Sequence, residues 1–319
     1  MREIVATDYH TAGEPFRIVT AGVPEIPGAS VRERRERARA DPDVDAVRRL
    51  LCHEPRGHAD MYGCFLVPAD DAGADLGVLF WHKDGYSTAC GHGTIALGRW
   101  ALDTGRAVSG LTIDVPSGRV RADVRGAAVA FRNVPAYVLA RDVPAGAHTV
   151  DVAYGGAIYA CLRAPVAVEP GNYGRLIALG REVKRALEGS EHARHPSDAR
   201  LSGIYGAILY EDLGDTPEGP HQRNVTVFAD GEVDRSPCGS GTSARVALLA
   251  ADGRLGPGRG VLRHDSIVGT TFRARVVEAV RAEGRAAVVT EVEGAAFRTG
   301  EHRFVLDPRD PLGTGFVLR

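Results

Sequence analysis

Lysine is nearly missing from this sequence. Only Lys83 and Lys184 occur in 319 residues, and the rest of the basic charge is arginine. A pyridoxal phosphate enzyme needs a Schiff-base lysine, and neither of these two stands in a phosphate-cradling context. Net charge is missing as well: at −2 neither sign builds a field that would attract nucleic acid or an acidic membrane surface. No apolar run reaches the roughly 18 residues of a membrane-spanning helix, and the opening "MREIVATDYHTAGEP" holds no signal-peptide core. The expectation is a soluble, cytoplasmic protein with no nucleic-acid or membrane partner. The five cysteines, Cys52, Cys64, Cys90, Cys161 and Cys238, are odd in number and form no C-x-x-C pair. That excludes a disulfide framework and a zinc knuckle.

What is present is a globular composition, 44% hydrophobic and 25% charged, in a chain long enough for two lobes of roughly 150 residues each. The basic run from Arg32 to Arg49 is mixed with acids at helical spacing, which predicts a solvated helix face in preference to an RNA-binding patch. Short apolar or β-branched runs bounded by Gly, Pro or Asp predict strands at Leu76 to His82, Leu111 to Gly118, Arg223 to Asp230 and Ala286 to Gly294. Helices are predicted over Ser30 to Leu51, Gly93 to Leu102, Tyr173 to Leu187 and Gly241 to Ala251.

Two of those helices follow a repeat. From Cys90 the chain reads "CGHGT" and from Cys238 "CGSGT", each followed by a short apolar segment and closed by a glycine 15 residues after the cysteine, Gly105 and Gly253. A helix apolar all round is buried, so each is predicted to run through the middle of its lobe with strands wrapped around it. A helix N-terminus offers free N–H groups and a dipole that lower a nearby thiol's pKa and bind an anion such as a carboxylate. Two such elements facing across a cleft would place one thiolate and one thiol on opposite faces of a bound amino acid. One removes the α-proton while the other delivers a proton to the opposite face, and the carbon inverts.

Other readings compete. A single cysteine in apolar surroundings is usually a core residue, and Cys52, Cys64 and Cys161 are read that way. Cys90 with His92 could hold a metal, yet neither repeat shows a further Cys or His pair at zinc spacing, so no metal is expected. A non-catalytic small-molecule binding protein would have no chemical need for both thiols.

The motifs also carry a resemblance. "DYHTAGEPFRIVTAGVP", "EPRGHADMYG", "GYSTACGHGT", "VDVAYGGAIYA", "DRSPCGSGTSAR" and "DPLGTGF" occur in this order along the chain, which resembles the proline racemase superfamily nearly end to end. That superfamily includes 4-hydroxyproline 2-epimerases and trans-3-hydroxy-L-proline dehydratases. The resemblance implies an α/β (α+β) fold of two pseudo-symmetric lobes similar to diaminopimelate epimerase, each a curled β-sheet around a central helix, with the active site in the cleft between them. The lobes are placed at residues 1–126 and 127–298, and 299–319 return to the first. It further implies no cofactor or metal, a small-molecule substrate of the proline or hydroxyproline type, and a homodimer.

By the same resemblance Cys90 and Cys238 would be the acid/base pair. Gly91, His92, Gly239 and Ser240 would bind the substrate carboxylate through backbone N–H groups, and Asp234 would accept from the substrate amino group. Tyr62, Gly206 and Phe228 fall where the family lines the ring pocket, and Gly206 is expected to leave an opening there. The surrounding "DMYG", "GYST" and "YGAIL" look most similar to the dehydratase branch found in animals, which usually replaces the second cysteine with threonine, whereas Cys238 is kept here. The expected activity is a two-thiol racemase or epimerase, with 4-hydroxyproline first by the polar tip of Tyr62 and the open Gly206. The alternatives are trans-3-hydroxy-L-proline dehydration, or the same chemistry on another cyclic amino acid.

Overall fold

In a computed structural model, which describes residues 3–318, five α-helices are set among eighteen strands. They are α1 (Val31–Ala40), α2 (Pro42–Cys52), α3 (Gly91–Asp103), α4 (Tyr173–Ala186) and α5 (Gly239–Ala251). The helix predicted over Ser30 to Leu51 is two helices. Pro42 opens α2, and proline both lacks the N–H and disfavours helical backbone at the residue before it. Asp41 is accordingly extended, and its carboxylate caps α2 by accepting from the N–H groups of Asp43 and Val44.

The arginine-rich face of α1 and α2 is only partly solvated, which corrects the expectation for that run. Arg34, Arg35 and Arg48 are buried. Their guanidinium groups donate to main-chain carbonyls: Arg34 to Pro68, Arg35 to Tyr86 at 2.7 Å and Arg48 to His82 at 2.7 Å. Five fixed donors on an apolar stem let arginine satisfy strand-end carbonyls that a helix face would otherwise cover.

Helices α3 and α5 are the buried axes of the molecule. Strands Glu3–Thr11, Glu14–Ala21, Gly110–Val115, Gly118–Arg125, Ala128–Arg132 and Ala296–Val305 pack around α3, and Ala136–Ala145, His148–Tyr154, Ile158–Arg163, Thr271–Ala282 and Arg285–Gly294 around α5. Phe16, Ile95, Trp100 and Phe131 share one continuous buried core with Val246, Leu249, Phe272 and Val292. Burial of side chains of this size contributes about 1.5–3 kcal/mol each. Gly98 lets α3 approach its sheet, since a Cβ there would lie 2.9 Å from Ala122 Cβ and from Val129 Cγ1.

Both helices end in the same device. Gly105 and Gly253 have φ of 68° and 71°. The N–H of Gly105 donates to Leu102 and that of Arg106 to Ala101, while those of Gly253 and Arg254 donate to Ala250 and Leu249, a Schellman closure in each copy. The last strand, Ala296–Val305, runs antiparallel to the first, from Glu3↔Val305 to Thr11↔Ala296, with a bulge at Asp8/Tyr9. Among the described residues no helix is long and apolar enough to cross a membrane.

Candidate active site

The N-termini of α3 and α5 abut. A Cβ on Gly91 would lie 2.5 Å from Gly239 Cα, and one on Gly239 would lie 2.6 Å from Gly91 Cα. Only residues without side chains permit that contact. It brings Cys90 and Cys238 into one narrow cleft, which Tyr62, Gly91, His92, Phe228, Asp234 and Ser240 also line. Roomier hollows exist elsewhere, such as one of about 960 Å³ beside Asp84, Arg181 and Lys184. Neither cysteine lines it, so chemistry and not size selects the site.

The two thiols are both buried, and burial pushes both pKa values up. For Cys90 the N–H of Gly93, donating to Sγ at 3.2 Å, works against that rise. For Cys238 the nearby Asp234 adds to it. The helix termini were expected to lower these values, but in the narrow cleft desolvation is the larger effect. The cysteines also differ in backbone. Cys90 is extended, with φ −154° and ψ 104°, whereas Cys238 has φ 63° and ψ 103°, a region that costs a side-chain-bearing residue on the order of 1–3 kcal/mol.

The first two residues of each helix, Gly91 and His92 in α3 and Gly239 and Ser240 in α5, have N–H groups with no acceptor inside the helix. The His92 ring lies 3.5 Å from Cys90 Sγ, and burial lowers its pKa to about 3, so it is neutral. Asp234 accepts from the N–H and hydroxyl of Ser236 at 2.8 and 2.7 Å. Burial nevertheless raises its carboxyl to about 6. Glu14, fully buried and accepting from Arg235 N–H at 2.7 Å, is held well above its usual value by burial and then by Asp234.

The opening expected at Gly206 is absent. Thr226 and Tyr159 fill the space: a Cβ there would lie 3.0 Å from Thr226 Cγ2 and 3.3 Å from Tyr159 Cε1. Tyr205 precedes Gly206 in the same strand. Tyr159, Tyr205 and Thr226 all line the cleft, and the motif reading named none of the three. Tyr205 stacks on Phe228 with ring centroids 5.8 Å apart, and its hydroxyl meets that of Tyr62 at 2.9 Å. Tyr62 also reaches Ser87 Oγ at 2.5 Å, and Tyr159 reaches Ser240 Oγ at 2.6 Å. Tyr159 and Tyr205 are brought to the cleft by the parallel pairing of Ile158–Arg163 with Ile204–Thr216, whose register shifts between Ile158 and Tyr159. The one sequence signal for them was tyrosine in otherwise apolar runs, since a buried phenol requires a polar partner.

A sequence family described as proline racemase matches residues 6–317. The chain belongs to the proline racemase family. It is therefore an enzyme of the racemase and epimerase type with a small-molecule substrate. Among family relatives, a trans-3-hydroxy-L-proline dehydratase of Bacillus cereus is 42% identical, over 98% of this chain and 97% of its own. A 3-hydroxyproline 2-epimerase of Burkholderia multivorans is 42% identical over 100% of this chain and 99% of its own. The crystal structure of a hydroxyproline epimerase from Agrobacterium vitis with bound trans-4-hydroxy-L-proline superposes with a TM-score of 0.90 at 31% identity, covering 99% of this chain and 96% of that one. The mixed α/β fold with curled sheets is thus shared across the family.

Proposed function

We propose that this family member is a cofactor-independent 2-epimerase of a hydroxyproline, with Cys90 and Cys238 as its acid and base. One observation carries the proposal: two buried thiols at abutting helix N-termini share a narrow cleft with a buried carboxylate, Asp234. The lobes would be 1–126 and 127–298, with 299–319 returning to the first.

In this reading the N–H groups of Gly91, His92, Gly239 and Ser240 hold the substrate carboxylate, and Asp234 accepts from its amino group. One thiolate takes the α-hydrogen from one face and the other thiol gives its proton to the opposite face. Charge that develops at Cα spreads into the carboxylate, where the helix N-termini stabilise it. Burial that raises both thiol pKa values makes each thiolate a stronger base toward a weakly acidic C–H.

The choice of ring moves with the correction at Gly206. Without an opening there, the preference for 4-hydroxyproline loses one of its two supports. The relatives named for 3-hydroxyproline are 42% identical, against 31% for the protein that binds trans-4-hydroxy-L-proline, so the 3-hydroxy ring is placed first. The second reading, dehydration, is favoured by the Tyr62 hydroxyl in the ring pocket with Ser87 and Tyr205 behind it. After loss of the α-hydrogen the C3–O bond breaks, the departing hydroxyl takes a proton and leaves as water, and the enamine tautomerises to a cyclic imine.

Incubation with trans-3-hydroxy-L-proline separates the readings. Chiral chromatography is expected to show cis-3-hydroxy-D-proline. A trapped cyclic imine as the sole product would replace epimerisation by dehydration. Inertness of the 3-hydroxy ring with inversion of trans-4-hydroxy-L-proline would return that ring to first place.

A further inference from the structure

The duplicated site is unequal in how its two cysteines are held, and the inference below rests on the two-thiol reading. In the first copy Cys90 is fixed through its own sulfur, which accepts from Gly93 N–H, while Thr94 Oγ1 donates to the Cys90 carbonyl at 2.8 Å. In the second copy the sulfur makes no such cap; the N–H of Gly241, the counterpart of Gly93, is near enough to lower its pKa, and the thiol donates to the Tyr159 hydroxyl at 3.8 Å. The backbone of Cys238 is turned to positive φ. The hydroxyl of Thr242, the counterpart of Thr94, therefore misses the cysteine carbonyl, which accepts from the Thr242 N–H instead, and donates to that of Pro237 at 3.1 Å.

That carbonyl has a second donor, Asn224 Nδ2, also at 3.1 Å. His264 Nδ1 lies 2.8 Å from Thr242 Oγ1. Because the threonine proton is directed to Pro237, the imidazole must donate, which fixes the Nδ1–H tautomer. Asn224, Thr242 and His264 are all fully buried, on strand Gly219–Phe228, the first turn of α5 and strand Leu262–Ser266. The N–H of the same peptide group, that of Cys238, donates to Ser236 Oγ at 3.1 Å. The Pro237–Cys238 peptide group is thus pinned at both ends, the Cys238 carbonyl on the next one accepts from the Thr242 N–H at 2.7 Å, and the strained conformation persists only because they are held.

We propose that Asn224, Thr242 and His264 are positioning residues that hold the Cys238 backbone in its strained conformation, so that this thiol, which lacks the cap that fixes Cys90, faces the α-carbon opposite Cys90. Without them Cys238 relaxes toward the extended conformation of Cys90 and its sulfur leaves the proton-transfer line. Cys90, held by its own cap, is unaffected.

The test compares α-hydrogen exchange with inversion in D₂O, using trans-3-hydroxy-L-proline and cis-3-hydroxy-D-proline. Cys238→Ala first identifies the epimer whose α-hydrogen faces Cys90, as the one that still exchanges. In Thr242→Val, that epimer is expected to keep exchanging near the wild-type rate, because Cys90 removes hydrogen, trades it with solvent and returns deuterium. Inversion is expected to fall by about a hundredfold, the scale of a misplacement near 1 Å. Thr242→Ser keeps the hydroxyl and should restore the wild-type ratio. A merely structural role would lower exchange and inversion together, so an unchanged ratio in folded Thr242→Val overturns the proposal. Should Thr242→Val fail to fold, Asn224→Ala is judged by the same ratio. A wild-type enzyme that inverts neither epimer overturns the two-thiol reading and this proposal with it.

Discussion

Cys90 and Cys238 line one cleft, which a substitution of either should disable. Cys90→Ala and Cys238→Ala are each expected to lower inversion by about 10²–10⁴-fold, measured as the rate at which the C2 epimer appears on chiral chromatography. Asp234 sets a pH dependence. With its carboxyl raised to about 6 by burial, it gains a proton below that pH and can no longer accept from a cationic amino group. The kcat/KM profile should therefore fall on the acid side with an apparent pKa near 6, and Asp234→Asn should remove that limb along with most activity. The effect on stability has the opposite sign. An acid whose folded pKa is raised favours the fold below its unfolded value, and that contribution is lost as pH rises through about 6. Asp234→Asn should thus be more stable than wild type at pH 8 by on the order of 1–3 kcal/mol, read from urea denaturation. Among residues, the cysteines and Asp234 were legible because short motifs encode them. Tyr159, Tyr205 and Thr226 were not, since only strand pairing brings them to the cleft, and Gly206 misled because its neighbours' side chains decide the space beside it.

Helix ends carry the next level of the account. Gly91→Ala would set a Cβ 2.5 Å from the Gly239 backbone, and backbone cannot yield as a flexible side chain can. The α3 and α5 termini should part, lowering the melting temperature and, by displacing both thiols, inversion by about a hundredfold. Gly105→Ala is the contrasting case, with positive φ but nothing within 4 Å of the new methyl. It should cost about 1–2 kcal/mol by urea denaturation and leave kcat unchanged. The sequence pattern located both buried helices from their apolar circumference and closing glycines, but started each two residues late, at Gly93 and Gly241. Glycine has low helix propensity, yet here the close approach of two backbones requires it. The break at Asp41 was readable from Pro42, and the helical spacing of charges on both sides concealed it.

The whole molecule brings together cysteines that lie far apart in the chain. Each sits at the head of a helix buried in its own set of strands, and the last strand closes back on the first. Twin sulfurs in one cleft should be sensitive to oxidation. Diamide treatment is expected to abolish activity through a Cys90–Cys238 disulfide, visible by peptide mapping and reversed by dithiothreitol, whereas full activity after exhaustive oxidation would show that the thiols do not meet. Family membership was legible from ordered motifs along nearly the whole chain. The ring that fills the cleft was not, because it depends on how Tyr62, Tyr159, Tyr205 and Phe228 meet after folding. The measurement that bears most directly on the two-thiol account is proton NMR of the reduced enzyme with trans-3-hydroxy-L-proline in D₂O. The account predicts loss of the Hα signal together with growth of cis-3-hydroxy-D-proline carrying deuterium at C2. Inversion with Hα retained, or imine formation with no inverted product, would contradict it.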